Sequence, residues 1–339
     1  MLEQGHLGKQ IAERLIDVTL DRIGAICWEN TLINKPLVNK TVSDLRDRIK
    51  STSNAAIVVA AGPSVKRQNL LEKLRVSDFQ GLIIVADSAL APCLRLDIVP
   101  DIVVSVDPHD RILRWFGDPD LTPEKQGEDD YFRRQDMSDW VAQNELRANQ
   151  ETLALLNRYG DQVVAALATC AAKGVPQRCL ESGMEMYWWN PMYDDYDLPD
   201  SLTRKVYSET KAPCINAGGN VGTSAWVLAH SILGIEHVAL LGMDFAYYSD
   251  TPYARTQYYD RLLELFPEEK LEEIFIHLHN PYLGADFYTD PAYFWYRDVF
   301  LEMSVDAPCQ TYNCTEGGIL FGDNIEFIPL EEFAKRVYS

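Results

Sequence analysis

The chain has 339 residues and a formal net charge of −20, with 51 acidic against 31 basic residues and an apolar fraction of 47%. This composition is typical of a folded globular protein and excludes a disordered one. The acidic balance argues against a general affinity for nucleic acid or for anionic membranes.

The cysteine pattern and the hydropathy of the chain indicate in which cellular compartment the protein functions. The seven cysteines are irregularly spaced and odd in number, and no Cys-x-x-Cys pair suggests zinc. No segment has the pattern of a secretory signal, and no apolar run is long enough to span a bilayer. We therefore expect a cytoplasmic protein without membrane insertion.

The first 50 residues are predicted to form a helical extension. Apolar residues recur among charges over residues 7–28, which predicts an amphipathic helix. Residues 29–54 are interpreted as a connector that leads into a short helix near 43–49. The extension shows no chemistry, and we interpret it as a packing surface or as the contact of a homo-oligomer.

A buried strand follows, over Ile57 to Ala60, and it ends abruptly in Gly62-Pro63-Ser64. Leucines at helical spacing predict a helix over 65–75. A strand, a tight turn and a helix N-terminus together suit a phosphate group. An ordinary strand-to-helix connection explains the same pattern, so both interpretations stay open.

Two further strands are predicted over 81–86 and 101–106, with a short helix over 88–96 between them. The first strand ends in Asp87-Ser88 and the second in Asp107-Pro108-His109. Strands joined by helical crossovers predict a parallel sheet. Ligands of open α/β sheets collect at the carboxyl ends of such strands.

The middle of the chain is predicted in outline. Residues 117–150 are polar and form a surface excursion, helical towards 140–149; whether they close over a site stays open. Residues 162–169 and 185–189 have strand patterns, and 190–213 are predicted to be a loop.

A second glycine-rich stretch runs from Asn216 to Ser224, with a helix predicted over 225–233. A strand over 236–244 then ends in Asp244. Glycines let the backbone approach a ligand closely, and Thr223 is able to cap the helix. Two glycine turns and three aspartates at strand ends together predict a nucleotide-type ligand.

The remaining elements complete an α/β fold. Helices are predicted around 257–275 and 290–304, a strand over 309–313 and a last helix after Pro329. We predict a Rossmann-like, mostly parallel sheet flanked by helices, with an N-terminal helical extension over 1–50. The catalytic domain would be 51–339, with insertions at about 117–150 and 250–305.

Five motifs occur in an order that resembles a known family. They are Ala61-Gly62-Pro63-Ser64, Val104-Ser105-Val106-Asp107-Pro108, Gly218-Gly219-Asn220-Val221-Gly222-Thr223, Leu241-Gly242-Met243-Asp244-Phe245-Ala246-Tyr247 and Thr315-Glu316-Gly317-Gly318. The series resembles the motility-associated (Maf) glycosyltransferases, within the MptE-like superfamily. The resemblance implies a Rossmann-like enzyme that takes a nonulosonic acid from a CMP-activated donor. It also implies a hydroxyl acceptor, such as a Ser or Thr of flagellin.

Two alternatives come from the same resemblance. The MptE branch is similar in fold and transfers diphosphate from ATP to 6-hydroxymethyl-dihydropterin with Mg²⁺. In that branch the strand matching 101–107 runs into a pair of acids, whereas here Asp107 is followed by Pro108 and His109. An Mg²⁺-nucleotide site usually needs such carboxylates. A protein that binds a nucleotide without catalysis is the third possibility.

Individual roles follow as hypotheses. Asp107 or Asp244, interpreted as ending adjacent strands, would act as the general base, or each is a structural carboxylate. His109 would act as a general acid, and Glu316 would bind the sugar or nucleotide, or cap a turn. The predicted donor-binding residues are Gly62, Pro63, Ser64, Asp87, Ser88, Asn216, Gly218, Gly219, Asn220, Gly222, Thr223 and Tyr247. The alternatives are that the glycine turns are structural only, that Asp87 or Ser88 caps a helix, and that Tyr247 packs against a core. His277-x-His279 lacks a nearby third ligand, so no metal site is predicted.

Overall fold

The computed structural model describes residues 5–13, 15–49, 53–128, 141 and 143–337. Its strands are β1 (Ala55–Val59), β2 (Leu82–Ala86), β3 (Ile102–Ser105), β4 (Val164–Ala168), β5 (Glu185–Pro191), β6 (Cys214–Ile215), β7 (His237–Leu241), β8 (Tyr247–Tyr248), β9 (Ile276–Asn280), β10 (Ala285–Thr289), β11 (Gln310–Asn313) and β12 (Ile325–Phe327). Nine of them form one sheet in the order β12-β11-β7-β1-β2-β3-β4-β5-β6, and every pairing in it is parallel. The α/β fold class predicted from the sequence is confirmed.

The sheet has its topological switch at β1. The chain adds β2 to β6 in succession on one side of β1, and then returns to place β7 on the other side. Asp244 follows β7 and Asp107 follows β3, so β1 and β2 lie between the strands that carry these two acids. The expectation that Asp107 and Asp244 end adjacent strands is therefore wrong, because the reversal of strand order separates them.

Both faces of the central strand are covered. Ala55, Ile57 and Val59 point into one core, whereas Ala56 and Val58 point into the other, and all five are fully buried. A strand buried on both faces has no solvent side to carry polar residues. This is why β1 is a continuous apolar run rather than an alternating one.

Helices surround the sheet. The α-helices described are His6–Ala12, Leu15–Asn34, Leu45–Arg48, Ser64–Arg67, Leu70–Val76, Asp87–Arg95, Pro123–Glu128, Glu145–Tyr159, Gly174–Ser182, Leu202–Thr210, Val221–Val227, Tyr259–Leu265, Leu271–Ile274, Pro291–Val305 and Leu330–Arg336, and a π-helical turn, Leu228–Ile232, continues the helix at 221. Within the described ranges, no helix combines the length and the apolar character needed to cross a membrane.

The single helix predicted over 7–28 is two helices, His6–Ala12 and Leu15–Asn34. The second ends later than predicted, and its last turns lie in the stretch interpreted as a connector. The buried positions at this end are Asn30, Thr31 and Asn34. The apolar period that predicted the helix stops before these residues because the face they bury is polar.

Several other boundaries differ from the predictions. The helix expected over 65–75 is split at Asn69, whose backbone is left-handed with φ 53°. The loop expected over 190–213 contains the helix 202–210. The predicted helix 257–275 is two short helices, followed by an antiparallel sheet of β8, β10 and β9 that was not predicted. The expected helix over 140–149 falls partly outside the described residues, and a helix begins at Glu145.

Candidate functional site

The turn after β1 is closed by an aspartate that follows β7. The hydroxyl of Ser64 donates to Oδ2 of Asp244 at 2.7 Å, and the backbone N–H of Ser64 donates to Oδ1 at 3.2 Å. A Cβ on Gly62 would lie 2.1 Å from Oδ2 of the same carboxylate, so this position requires glycine. Ser64 is fully buried and Asp244 is 2% exposed. Both hydrogen-bond donors predicted for a phosphate at Ser64 are thus engaged with Asp244.

A glycine loop after β11 covers this contact. A Cβ on Gly317 would lie 2.6 Å from the Tyr248 hydroxyl and 3.0 Å from the Ser64 side chain. The preceding Glu316 has a left-handed backbone (φ 53°) and pairs with Lys73 at 2.6 Å. Glu316 therefore ties this loop to the helix 70–76.

A second group of polar side chains lies at the ends of β2 and β3. The Asp87 carboxylate accepts hydrogen bonds from the Ser105 hydroxyl and from the Ser88 N–H, each at 2.7 Å. Asp87 is 4% exposed, and its burial raises its pKa from 3.8 to about 7, although the two hydrogen bonds oppose the shift. Asp87 is thus a buried carboxylate that fixes the positions of Ser88 and Ser105 by hydrogen bonds.

Asp107 is the more accessible acid of this group. It is half-buried, and its Oδ1 accepts the N–H of His109 at 2.8 Å. Burial raises the pKa of Asp107, whereas the His109 N–H and the nearby positive charges of His109 and Arg111 act in the opposite direction. A partly exposed carboxylate with a raised pKa is suited to accept a proton from a hydroxyl group.

The second glycine turn is organised by two asparagines. The Asn216 side chain accepts the N–H of Gly218 at 3.1 Å, and Asn220 caps the helix at 221 by accepting the N–H of Thr223 at 2.9 Å. A Cβ on Gly222 would lie 2.2 Å from Sδ of Met243, which follows β7. This close approach brings the start of the helix to the carboxyl edge of the central strands.

Aromatic residues of the helix 291–305 lie against this turn. A Cβ on Gly219 would lie 2.6 Å from the rings of both Trp295 and Tyr296. Burial raises the pKa of Tyr296 to about 12, with smaller contributions from the charges of Asp290 and Asp107. Asp107 therefore lies within electrostatic range of Tyr296, and the turn lies against the same ring.

The predicted residues thus divide into two groups. Ser64, Asp244 and Glu316 brace the junction of β1, β7 and β11. Asp87, Ser88, Asp107 and His109 lie at the ends of β2 and β3, and the charge of Asp107 acts on Tyr296, whose ring lies against the glycine turn. Tyr247 belongs to neither group, since its hydroxyl donates to Asp290 at 3.0 Å and accepts the N–H of Gln257.

Two residues near Asp107 were missed by the sequence reasoning. Ser105 is the one polar residue of β3 and stands at its end, and this polar position in an apolar run was the available signal. Tyr296 gave no signal, because helical aromatic residues usually pack in a core.

The histidine pair belongs to the small sheet. His277 and His279 both lie on the exposed face of β9, where Nδ1 of His279 pairs with Asp286 at 2.7 Å. Across the described ranges, no three His, Cys, Asp or Glu side chains are grouped so as to hold a metal ion.

Comparisons with known proteins agree with this architecture. Residues 29–118 match the family described as 6-hydroxymethylpterin diphosphokinase MptE-like. A 6-hydroxymethyl-7,8-dihydropterin pyrophosphokinase of Methanocaldococcus jannaschii is 36% identical over 90 residues, which are 26% of this chain and 36% of that protein. The match confirms the resemblance to the MptE-like superfamily over these residues.

A solved structure resembles most of the chain. It is a Maf glycosyltransferase from Magnetospirillum magneticum AMB-1, with a TM-score of 0.52 and 12% sequence identity. The likeness covers 85% of this chain and 37% of that one, and at this identity it is a likeness of fold. The chain thus spans little more than a third of the length of either relative.

Proposed function

We propose that the chain is a glycosyltransferase that moves a nonulosonic, sialic-acid-like sugar from a CMP-activated donor to a hydroxyl acceptor. The observation that carries the proposal is Asp107, a half-buried carboxylate with a raised pKa at the carboxyl edge of a parallel sheet, the edge to which the glycine turn before the helix at 221 also belongs. The fold shared with a Maf glycosyltransferase supports this choice.

The proposed chemistry uses the residues around Asp107. Asp107 removes the proton of the acceptor hydroxyl, whose oxygen attacks the anomeric carbon of the donor sugar. The bond between that carbon and the phosphate oxygen breaks, and CMP departs with the bonding electrons. His109 donates a proton to the departing phosphate, and the backbone of Gly218 to Asn220 contacts it. Asp87 holds Ser88 near the ribose.

The first glycine turn has a different place in this proposal. Because Ser64 gives both donors to Asp244, we assign the pair to bracing β1 against β7 rather than to the reacting groups. The acceptor is proposed to be a protein Ser or Thr, of which flagellin is one candidate. A cytoplasmic location and a homo-oligomer remain predictions.

A second candidate is transfer of diphosphate from ATP to a hydroxymethyl-dihydropterin with Mg²⁺. The match of residues 29–118 to the MptE-like family favours it. Pro108 and His109, which stand where the second acid of that site would be, count against it. Nucleotide binding without turnover is the third candidate.

A thermal-shift screen separates these candidates. The full chain is heated with CMP, CDP, UDP, GDP or ATP, each with and without Mg²⁺, because a ligand of the folded state raises the midpoint. A shift with CMP that does not need Mg²⁺ supports the glycosyltransferase. A shift confined to ATP with Mg²⁺ supports the diphosphokinase and contradicts our proposal.

Release of CMP from CMP-nonulosonates is then measured with a panel of hydroxyl acceptors. Asp107→Asn is the matched variant, since it keeps the size of the side chain and removes the base. CMP release by the wild type and not by the variant supports the assignment. Binding of CMP without release on any acceptor would favour the third candidate.

A further inference from the structure

The N-terminal helix Leu15–Asn34 presents a largely polar face to the loops at the carboxyl edge of the sheet. Cys27, Asn30, Thr31 and Asn34 have the i, i+3, i+4, i+7 spacing of one helical face, and none is more than 5% exposed. Buried polar groups destabilise a fold unless they are hydrogen-bonded, and apolar residues would pack a helix at less risk. The hydrogen bonds that these side chains make therefore indicate the role of this face.

Asn30 joins two loops at the carboxyl edge of the sheet. Its Nδ2 donates to the carbonyl oxygen of Pro108 at 2.9 Å and to that of Cys170 at 3.0 Å. Pro108 directly follows Asp107, and proline has no N–H with which to anchor this loop. The carbonyl of Asp107 in turn accepts the N–H of Ala172 at 3.1 Å. Asn30 thus fixes the backbone one residue from the proposed base.

Asn34 makes a matching pair of bonds, neither of them to Asp107 or Pro108. Its Nδ2 donates to the carbonyls of Thr169 and Ala171, each at 2.9 Å. The Ala171 carbonyl shares its peptide group with the Ala172 N–H that donates to Asp107. Replacing Asn34 leaves that N–H and the bonds of Asn30 in place. Asn34 is 1% exposed and Asn30 is 5% exposed. The two asparagines make the same kind of bonds from one helix face, but the bonds of Asn34 are confined to the loop after β4.

We propose that Asn30 is a positioning residue for Asp107, which it places through the carbonyl of Pro108. The proposal rests on the proposed function, in which Asp107 is the general base. It makes the N-terminal helix part of the site rather than an extension beside it. Removing the amide frees the loop at Pro108, and the Asp107 carboxylate then moves from its place facing the acceptor.

A change in the loop is expected to alter the titration of Asp107. The titratable and charged groups that interact with Asp107 come from several elements: Asp87, His109, Arg111, Tyr296, Cys27 and Cys170. Desolvation is the largest cause of the raised pKa of Asp107. A freed loop admits water, so the pKa of Asp107 falls towards the ordinary value of an aspartate.

Kinetics of Asn30→Ala and Asn34→Ala test the proposal. We expect Asn30→Ala to lower kcat about 10- to 100-fold, as for a misplaced catalytic group, with KM little changed. The acid limb of its pH–rate profile should move to lower pH. Asn34→Ala should keep kcat within about threefold and leave the profile unchanged. Equal losses of kcat in both variants, with unchanged profiles, would overturn the proposal.

A measurement that does not depend on turnover tests the positioning role even if the protein turns over no donor. The carboxyl ¹³C signal of Asp107, assigned with Asp107→Asn, is titrated in wild type and in both variants. A lower midpoint in Asn30→Ala but not in Asn34→Ala supports the positioning role even if no donor is turned over, in which case only the proposed function has failed. An unchanged midpoint in Asn30→Ala refutes the positioning role. If Asn30→Ala does not fold, Asn30→Ser, which keeps one donor, replaces it in both measurements.

Discussion

The Ser64 hydroxyl and the Asp244 carboxylate meet at 2.7 Å across the junction of β1 and β7, the two strands between which the chain reverses its direction of winding. In open α/β sheets this junction is where ligands usually bind. Here the protein fills it with its own hydrogen bonds and covers it with the loop of Gly317. The accessible acid is instead Asp107, two strands away from β1.

Asp244→Ala should destabilise the fold by about 3 kcal/mol, because it leaves the buried N–H and hydroxyl of Ser64 without an acceptor. Urea unfolding at pH 7 measures the effect. Asp250→Ala is the matched control, since Asp250 pairs with Arg67 on the surface with a side chain 69% exposed. The control should change stability by less than about 1 kcal/mol. Similar effects in the two variants would contradict the bracing role.

Asp107→Asn should keep the fold and lower transfer by about 10²- to 10⁴-fold, the usual contribution of a general base. In the wild type, the rate should rise with pH as Asp107 loses its proton. Since burial raises this pKa, the midpoint should lie above the ordinary aspartate value of about 3.9. Initial rates from pH 4 to 8 check both points. A variant that keeps its turnover would remove Asp107 from the mechanism.

Asp87→Asn should become more stable relative to the wild type as the pH rises. The native Asp87 has a pKa of about 7 against 3.8 when exposed, so the native state binds more protons between these values. Its contribution to stability is therefore present below about pH 4 and is lost as the pH rises to 7, by up to about 4 kcal/mol. The variant lacks this loss.

Urea unfolding of wild type and Asp87→Asn at pH 4.5 and 8 measures the difference. Asp250→Asn is the control. The hydrogen bond from Arg67 lowers the pKa of Asp250, so the contribution of this carboxylate to stability is lost as the pH falls, the opposite direction to Asp87. Parallel pH dependence in the wild type and Asp87→Asn would mean that Asp87 is not buried as described.

Gly219→Ala should destabilise the protein more than Gly284→Ala. Both glycines have positive φ, 78° and 59°, so each alanine introduces backbone strain of about 1 kcal/mol. A Cβ at 219 would also meet the rings of Trp295 and Tyr296, whereas one at 284 meets nothing within 4 Å. The excess is thus the overpacking at Gly219, about 1–3 kcal/mol.

Calorimetric titration with the nucleotide found by the thermal screen extends this comparison. Affinity should fall in Gly219→Ala and stay unchanged in Gly284→Ala, because only the first alters the turn that is proposed to contact the donor phosphate. Equal affinities would place the nucleotide away from that turn.

Strands that are buried on both faces were the elements that the sequence predicted best. The apolar runs predicted the central strands to within three residues, since burial on both faces leaves a strong local pattern. The split at Asn69 and the hairpin of β9 and β10 escaped because a left-handed residue and short strands with polar faces leave weak local signals.

The sequence by itself determined the α/β class, the strand-end acids and the two glycine turns, because each is recorded in adjacent residues. Only the tertiary structure decided that the Asp244 carboxylate accepts the hydroxyl of Ser64, that Asp107 and Asp244 follow strands that are not adjacent, and that Asn30 donates to the carbonyl of Pro108, 78 residues away. These contacts depend on the strand order, and strand order is set by packing between distant segments rather than by the local pattern of any one of them.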